Sequence, residues 1–140
     1  MCKDICCIVL LVFLILILIN VVRTRVTEYY EQMDPMLVRI RETLLPLHPC
    51  VANLKFYEGK KSYTINKKKV YLCLKDDDGE YYNFNMLIYV SIHELSHVIC
   101  DEIGHTAKFH RIFRDLLELA EQKNIYDSSI PILKNYCGHN

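Results

Sequence analysis

The sequence predicts an α+β domain that follows an N-terminal transmembrane helix. Three observations predict it: an apolar run at residues 5–22, short alternating segments within residues 53–75, and a helical pattern of apolar residues from about residue 85. In the predicted domain, a small antiparallel sheet packs on a central helix with flanking helices. The predicted division of the chain is 1–23 for the anchor and 24–140 for the domain.

The first element is the run ICCIVLLVFLILILINVV at residues 5–22, in which Asn20 is the one polar side chain. As a helix this run spans about 27 Å, and a bilayer core is about 30 Å thick. A cleaved signal peptide is one alternative, but its apolar region is usually about 7–15 residues long and ends at small residues. A buried core helix is the other alternative, although the run is apolar on all sides. We therefore expect an uncleaved anchor, with the membrane as partner through residues 5–22.

Charge and cysteine usage give an expected topology. Lys3 precedes the run and Arg23 and Arg25 follow it, which favours a cytosolic C-terminal domain by the positive-inside rule. The cysteines show no CxxC pair and no regular framework, so we expect free thiols and a reducing compartment; they stand at positions 2, 6, 7, 50, 73, 100 and 137. The net charge of zero gives no reason to expect nucleic acid as a partner.

The domain begins with a helix and a set of strands. Asp34 followed by Pro35 is typical of an N-cap and first helical position. The segments LKFYEG, KSYTI and KKVYLCLK are rich in aromatic and β-branched residues, which predicts strands. The run at residues 76–79, DDDG, predicts a turn.

The central helix carries the most informative residues of the chain. From about Asn85 the sequence is apolar around most of a helical circumference, which predicts a buried helix. His93, Glu94 and His97 lie within it in the stretch His-Glu-Leu-Ser-His. Polar side chains on such a helix cost free energy unless they find partners. One alternative is that both histidines are satisfied by hydrogen bonds in the core.

The spacing of this trio indicates a zinc site with a catalytic base. Residues i and i+4 of a helix face the same way, so His93 and His97 can bind one zinc ion. Glu94 is offset by about 100° around the helix. We expect it to act as a general base towards a water at the open zinc position. The expected substrate is a peptide or protein.

The sequence alone does not identify the third zinc ligand. Gly104 is typical of a helix end, and a reversal there would bring His105 back towards the metal. Thr106 is then expected to cap a second amphipathic helix that runs to about Lys123. Glu118 or Glu121 on this second helix is the alternative ligand.

These residues also carry a resemblance to a known group. The strand segments, NMLIYVSIHELSHV, GHTAKF and the following amphipathic helix resemble the WLM and SprT-like zinc metallopeptidases. They resemble most of all the small membrane-anchored members encoded by large DNA viruses. The resemblance covers roughly residues 60 to 123. It implies a minimal zincin fold and zinc-dependent peptidase activity, with His93, Glu94, His97, His105 and Phe109 at the positions of the group's motif.

A different class of function fits the same residues. A membrane-anchored structural or interaction protein would keep zinc for stability, with its fourth position closed by Cys137 or His139. Tyr136 could instead bind an oxyanion, but we expect the tail IPILKNYCGHN mainly to pack Ile130, Ile132 and Leu133 on the domain. A hydrolase that does not cut peptides is a third interpretation of the same site.

Overall fold

A computed structural model describes residues 2–31 and 33–138 of the chain. It is an α+β structure with four α-helices and one three-stranded sheet. The chain divides into two compact units at the junction of Met33 and Asp34. His139, which the sequence analysis named as a candidate for the fourth zinc position, lies outside the described residues.

The first unit consists of helix α1, Cys2–Glu31. It contains the 21-residue segment Cys7–Thr27, which is long and apolar enough to cross a membrane. The described side chains of this segment are exposed all around the helix, unlike those of a core helix. A signal sequence satisfies the same length and composition, so the uncleaved anchor stays a prediction. The helix continues beyond residue 23, where the predicted anchor ends.

The second unit begins with the predicted N-cap. The Asp34 carboxylate accepts a hydrogen bond of 2.8 Å from the Met36 backbone N–H, and helix α2 runs over Pro35–Leu44. It buries one apolar face. A short 3₁₀ helix, Pro49–Asn53, connects α2 to the sheet.

The sheet contains β1 (Lys55–Glu58), β2 (Tyr63–Ile65) and β3 (Lys69–Leu72) in the order β1-β3-β2. The prediction of a wholly antiparallel sheet is wrong, because β1 pairs with β3 in parallel. The reason lies in the turn at Asn66 and Lys67, whose φ angles are 51° and 54°. The three-residue loop 66–68 that contains this turn joins β2 to β3 as an antiparallel hairpin. The free side of β3 is then taken by β1, and β2 becomes an edge strand.

Helices α3 (Phe84–Ile99) and α4 (Ala107–Gln122) complete the unit. The start of α3 and both ends of α4 agree with the prediction within about two residues. The predicted Thr106 cap is also present, and its hydroxyl accepts a 3.3 Å hydrogen bond from the Phe109 backbone N–H. Helix α3 is central and packs against α2, α4 and the sheet. The core is formed by fully buried side chains from all these elements, among them Ile40, Phe56, Leu72, Leu87, Ile88, Ile92, Leu95 and Phe109.

A disulfide bond joins Cys73 to Cys137. This contradicts the expectation of free thiols throughout, and it removes part of the support for a reducing compartment. The two cysteines are 64 residues apart in the sequence, so no local spacing pattern pointed to them. Cys7, Cys50 and Cys100 are free. The cytosolic orientation now depends on the charge bias alone and stays a prediction.

The C-terminal segment is held differently from the prediction. Of the three side chains expected to pack on the domain, Ile132 is half-buried, whereas Ile130 and Leu133 are 37% and 50% exposed. Tyr136 is buried instead, and its hydroxyl donates a hydrogen bond to the Cys73 carbonyl. Its oxygen also pairs with the Ser62 hydroxyl at 2.8 Å. These hydrogen bonds and the disulfide hold Tyr136 and Cys137 next to the sheet.

Candidate metal centre

Three imidazole rings meet at one point in the second unit. His93 and His97 are one turn apart on α3, and His105 lies in the loop between α3 and α4. The His105 Nε2 atom is 3.1 Å from the Nε2 atoms of both His93 and His97. These are the three residues expected as ligands from the sequence, and the structure brings them together.

The reversal that brings His105 back is built by the loop after α3. The helix ends at Ile99, with Cys100 in extended geometry as its C-cap, so it stops before the predicted end at Gly104. Gly104 has a φ angle of 84°, which L-residues with a side chain rarely adopt. Across the loop, the Lys108 ammonium pairs with the Asp101 carboxylate at 2.6 Å. The reversal was therefore predicted correctly, although the helix ends earlier than expected.

The nitrogen geometry fits a divalent cation. A ring nitrogen carries at most one proton, so His105 Nε2 can donate to only one of its two neighbours. If Nε2 is instead unprotonated, its single lone pair can accept a well-aligned hydrogen bond from only one of them. In either case, one of the two contacts is not a hydrogen bond. A cation accepts all three lone pairs at once. Two imidazoles on a tetrahedral zinc with bonds of about 2.0–2.1 Å have nitrogens about 3.3 Å apart, close to the observed 3.1 Å.

The lowered pKa values of His93 and His97 also favour metal binding. Burial lowers the pKa of His93 to about 4, and the proximity of His97 and His105 contributes to that lowering. Burial, followed by the neighbouring His105, also lowers the pKa of His97. Both rings are therefore neutral near pH 7, which is the form that binds metals.

One aromatic ring supports all three histidines. Phe109, on the first turn of α4, is fully buried. Its ring centroid is 4.3 Å from that of His97, 4.8 Å from that of His105 and 5.0 Å from that of His93. Because this ring fills the space behind the imidazoles, it restricts the rotamers that they can adopt.

The alternative ligands lie elsewhere. Glu118 is exposed and within 3.9 Å of Arg114 on the same helix. Glu121 accepts a hydrogen bond from Ser128 and lines a separate cavity. Within residues 2–31 and 33–138, no carboxylate or thiol joins the histidine cluster. Cys137, considered on the sequence as a closing thiolate, is bonded to Cys73.

Glu94 lies beside the cluster and is held by Thr64, a residue that the sequence did not single out. Glu94 is 5% exposed and lines the same cleft as the three imidazoles. The Thr64 hydroxyl, on β2, donates a 2.8 Å hydrogen bond to its Oε2 atom. Burial raises the pKa of Glu94 to about 7, and the hydrogen bond from Thr64 opposes that rise. The alternation within KSYTI indicates which side Thr64 faces, but nothing in the sequence placed β2 against α3.

The cluster opens into a cleft of about 830 Å³. The cleft is lined by strand β2 and the β2–β3 turn, by helix α3, by residues 102–105 and by residues 132–134 with Tyr136. Tyr136 lines this cleft, but its hydroxyl is already committed to Cys73 and Ser62. Burial raises the pKa of Tyr136 to about 12. We therefore assign it a structural role instead of an oxyanion-binding role.

Comparison with known proteins gives relatives of viral origin. The chain is 51% identical over 90 residues to the uncharacterized protein 136R of Invertebrate iridescent virus 6, which is 62% of this chain and 51% of that protein. It is 46% identical over 86 residues to the uncharacterized protein 042R of Invertebrate iridescent virus 3. The aligned residues cover 61% of this chain and 54% of that protein. A third relative, the uncharacterized protein R325 of Acanthamoeba polyphaga mimivirus, is 34% identical over 102 residues. The aligned residues cover 71% of this chain and 49% of that protein.

The chain spans about half the length of these relatives. No family model matches it, and no solved structure matches it. The names of the relatives state no activity. The resemblance to the WLM and SprT-like group therefore stays a prediction, and the site itself is the basis for a function.

Proposed function

We propose that this chain is a membrane-anchored, zinc-dependent peptidase of the zincin type. The observation that carries the proposal is the convergence of three imidazole nitrogens beside a buried carboxylate at the floor of an open cleft. A structural zinc site has four protein ligands, whereas a catalytic site keeps one position open. The described part of the chain offers three ligands and a cleft that leads to them, which favours catalysis over the structural alternative.

The residues have separate roles in the proposed reaction. His93, His97 and His105 would hold the metal. Zinc supplies a Lewis acid there, which makes water a better nucleophile near neutral pH and polarises a carbonyl group. Glu94 accepts a proton from the attacking water at its carboxylate. It passes that proton to the amine as the carbon–nitrogen bond breaks.

The geometry of β2 favours a peptide as substrate over a smaller molecule. As an edge strand, β2 pairs with β3 on one side only, and its residues Tyr63 and Thr64 line the cleft. An extended peptide can add to such an edge through backbone hydrogen bonds. Thr64 lies on this strand and also contacts Glu94, so the peptide backbone would be set next to the base.

The test of the proposal is hydrolysis of an unfolded protein by the zinc-loaded full chain in detergent micelles. Cleavage by the wild type and its absence in Glu94→Gln would support a peptidase. Equal cleavage by both forms would show that the activity does not come from this site.

Replacing Thr64 by Val should lower kcat roughly tenfold and leave the zinc content unchanged. The substitution removes a hydrogen bond to a charged group, which is worth about 1.5–3 kcal/mol, and leaves the Glu94 carboxylate free to rotate. Thr64→Ser is the matched control, because it keeps the hydroxyl. The measurement is the steady-state rate of both variants with zinc quantified in each sample. A Val variant as active as the Ser variant would remove Thr64 from the mechanism.

A further inference from the structure

The sheet has an outer face that differs from the face packed on α3. Phe56, Val70 and Leu72 are buried in the core. The Thr64 hydroxyl contacts Glu94 on α3. Because side chains alternate along a strand, the residues between these four belong to the opposite face. They are half-buried or exposed and form two rows across β1, β3 and β2, namely Tyr57, Tyr71 and Tyr63 in one row and Lys55, Lys69 and Ile65 in the other.

The three tyrosines of this outer face form a stacked ladder. The ring centroid of Tyr71 is 5.1 Å from that of Tyr57 and 4.7 Å from that of Tyr63, with interplanar angles of 23° and 10°. These separations match the spacing of neighbouring strands, which is about 4.8 Å. The rings therefore stand side by side, and both faces of the middle ring are covered by its neighbours. The ladder presents ring edges outward instead of ring faces.

The same part of the chain is strongly basic. Residues 53–75 contain seven lysines and one glutamate, although the net charge of the whole chain is zero. Lys55 and Lys69 are partners in the register of β1 and β3, and like charges on neighbouring strands repel each other. The stability of the sheet therefore does not explain this pair. Among the described residues, five of the seven lysines are exposed and form no ion pair, namely Lys55, Lys60, Lys61, Lys68 and Lys69.

A basic surface with aromatic rings suits two kinds of partner, a single-stranded nucleic acid or a membrane with anionic lipids. Bases of a single strand stack on the faces of aromatic rings, and the ladder leaves Tyr71 without a free face. Tyrosine is also enriched at membrane–water interfaces, where its ring lies at the level of the headgroups. Lysines are attracted to anionic headgroups, and Ile65, 39% exposed, adds an apolar side chain. The outer face therefore fits a membrane surface better than a nucleic acid.

The predicted anchor would keep the domain close to such a surface. The segment Cys7–Thr27 is long and apolar enough to cross a membrane, and the second unit begins at Asp34. The residues in between, 28–33, span at most about 20 Å even when fully extended. A domain on so short a tether meets lipid headgroups at a high effective concentration. Weak attraction at each residue is then sufficient for docking.

We propose that the outer face of the sheet docks on a bilayer surface that contains anionic phospholipid. Docking holds the domain in one orientation on the membrane instead of leaving it free on its tether. The inference goes beyond the proposed peptidase reaction, since it uses no residue of the metal centre, and it depends only on the membrane anchor. The docking face consists of Lys55, Tyr57, Tyr63, Ile65, Lys69 and Tyr71.

The experiment uses the full chain in nanodiscs of phosphatidylcholine alone or of phosphatidylcholine mixed with phosphatidylserine. A water-soluble active ester acetylates the lysines, and mass spectrometry gives the rate at each position. We expect Lys55 and Lys69 to react roughly fivefold or more slowly in the anionic nanodiscs. In about 1 M salt, where the Debye length is about 3 Å, this protection should disappear. Lys123 is the internal control, because it is exposed at the end of α4, a helix that packs on α3. Its rate should be the same in both nanodiscs.

A pair of variants tests whether the charge of the docking face causes the protection. Lys69→Gln removes one positive charge from an exposed position next to Lys55, so Lys55 should lose most of its protection in the anionic nanodiscs. Lys123→Gln removes the same charge from α4 and should leave the protection of Lys55 unchanged. Equal protection of Lys55 in the two variants would contradict docking through this face.

The remaining outcomes separate the docking face from its alternatives. Equal rates of Lys55 and Lys69 in both kinds of nanodisc would overturn the proposal, and so would equal slowing of Lys55, Lys69 and Lys123. Protection by a single-stranded oligonucleotide, but not by anionic lipid, would assign the face to nucleic acid instead. If the chain elutes apart from the nanodiscs, the anchor fails and the docking face fails with it, whereas hydrolysis that depends on Glu94 would still stand.

Discussion

Glu94→Gln is expected to keep one zinc ion per chain and to lower kcat for peptide hydrolysis by roughly 10²–10⁴-fold, the usual contribution of a general acid–base. Glutamine has nearly the same shape as glutamate, and its amide oxygen can still accept the hydrogen bond from Thr64. The amide cannot take a proton from water near neutral pH. The variant therefore removes the base and leaves the geometry of the site intact.

The measurement is zinc content and steady-state hydrolysis on the same samples of the full chain. Glu118→Gln serves as the control, because Glu118 is exposed on α4 beside Arg114 and away from the cleft. We expect it to match the wild type. Full activity in Glu94→Gln would remove Glu94 from the mechanism. Loss of zinc in Glu94→Gln would mean that the Glu94 carboxylate supports the metal, which contradicts its role as a base alone.

His105→Ala is expected to lower zinc affinity by more than the roughly 10–100-fold that loss of a ligand's hydrogen-bond partner costs. The substitution removes one of three nitrogens and leaves His93 and His97 as a two-ligand site. His105 is exposed in its loop, so the fold should tolerate the change. Peptide hydrolysis should be lost together with the metal.

The measurement for this variant is competition for zinc between the protein and a chromogenic chelator. His110→Ala is the matched control, since His110 is also exposed and its ring centroid is 6.2 Å from that of His105. It should bind zinc like the wild type. If His105→Ala keeps wild-type affinity while Glu118→Ala or Glu121→Ala loses it, the third ligand is a glutamate and our assignment is wrong.

The helices and the histidine cluster could be predicted from the sequence because their signals are local. The Asp34–Pro35 start and the Thr106 cap are set by neighbouring residues, and the structure confirms both. The pairing of His93 with His97 follows from helical periodicity. The prediction of His105 as a ligand required only that the chain reverse within a short loop. The positive φ angle of Gly104 allows this reversal.

The parts that could not be predicted depend on contacts between distant residues. The three strand segments have similar aromatic and β-branched sequences, so the sequence does not indicate which of them pair. The parallel pairing of β1 with β3 could therefore not be predicted. The bond between Cys73 and Cys137 joins residues far apart in the sequence. The contact of Thr64 with Glu94 requires β2 at the edge of the sheet next to α3, so it could not be foreseen without the sheet order.

The tail shows a similar limit. Its apolar residues Ile130, Ile132 and Leu133 suggested packing on the domain, since burial of such side chains is usually favourable, but only Ile132 is half-buried among them. Instead the buried anchor is Tyr136, because Ser62 and the Cys73 carbonyl satisfy its hydroxyl. Leu133 is left exposed and lines the cleft.

Zinc K-edge X-ray absorption on the zinc-loaded full chain tests the proposed metal centre most directly, because it reports the atoms bound to the metal. We predict one zinc per chain with three imidazole nitrogens, no sulfur, and a fourth position occupied by solvent. A fourth ligand from the protein, whether a carboxylate or a thiolate, would contradict an open catalytic site. A site with fewer than three imidazoles would contradict the convergence of His93, His97 and His105 on one ion.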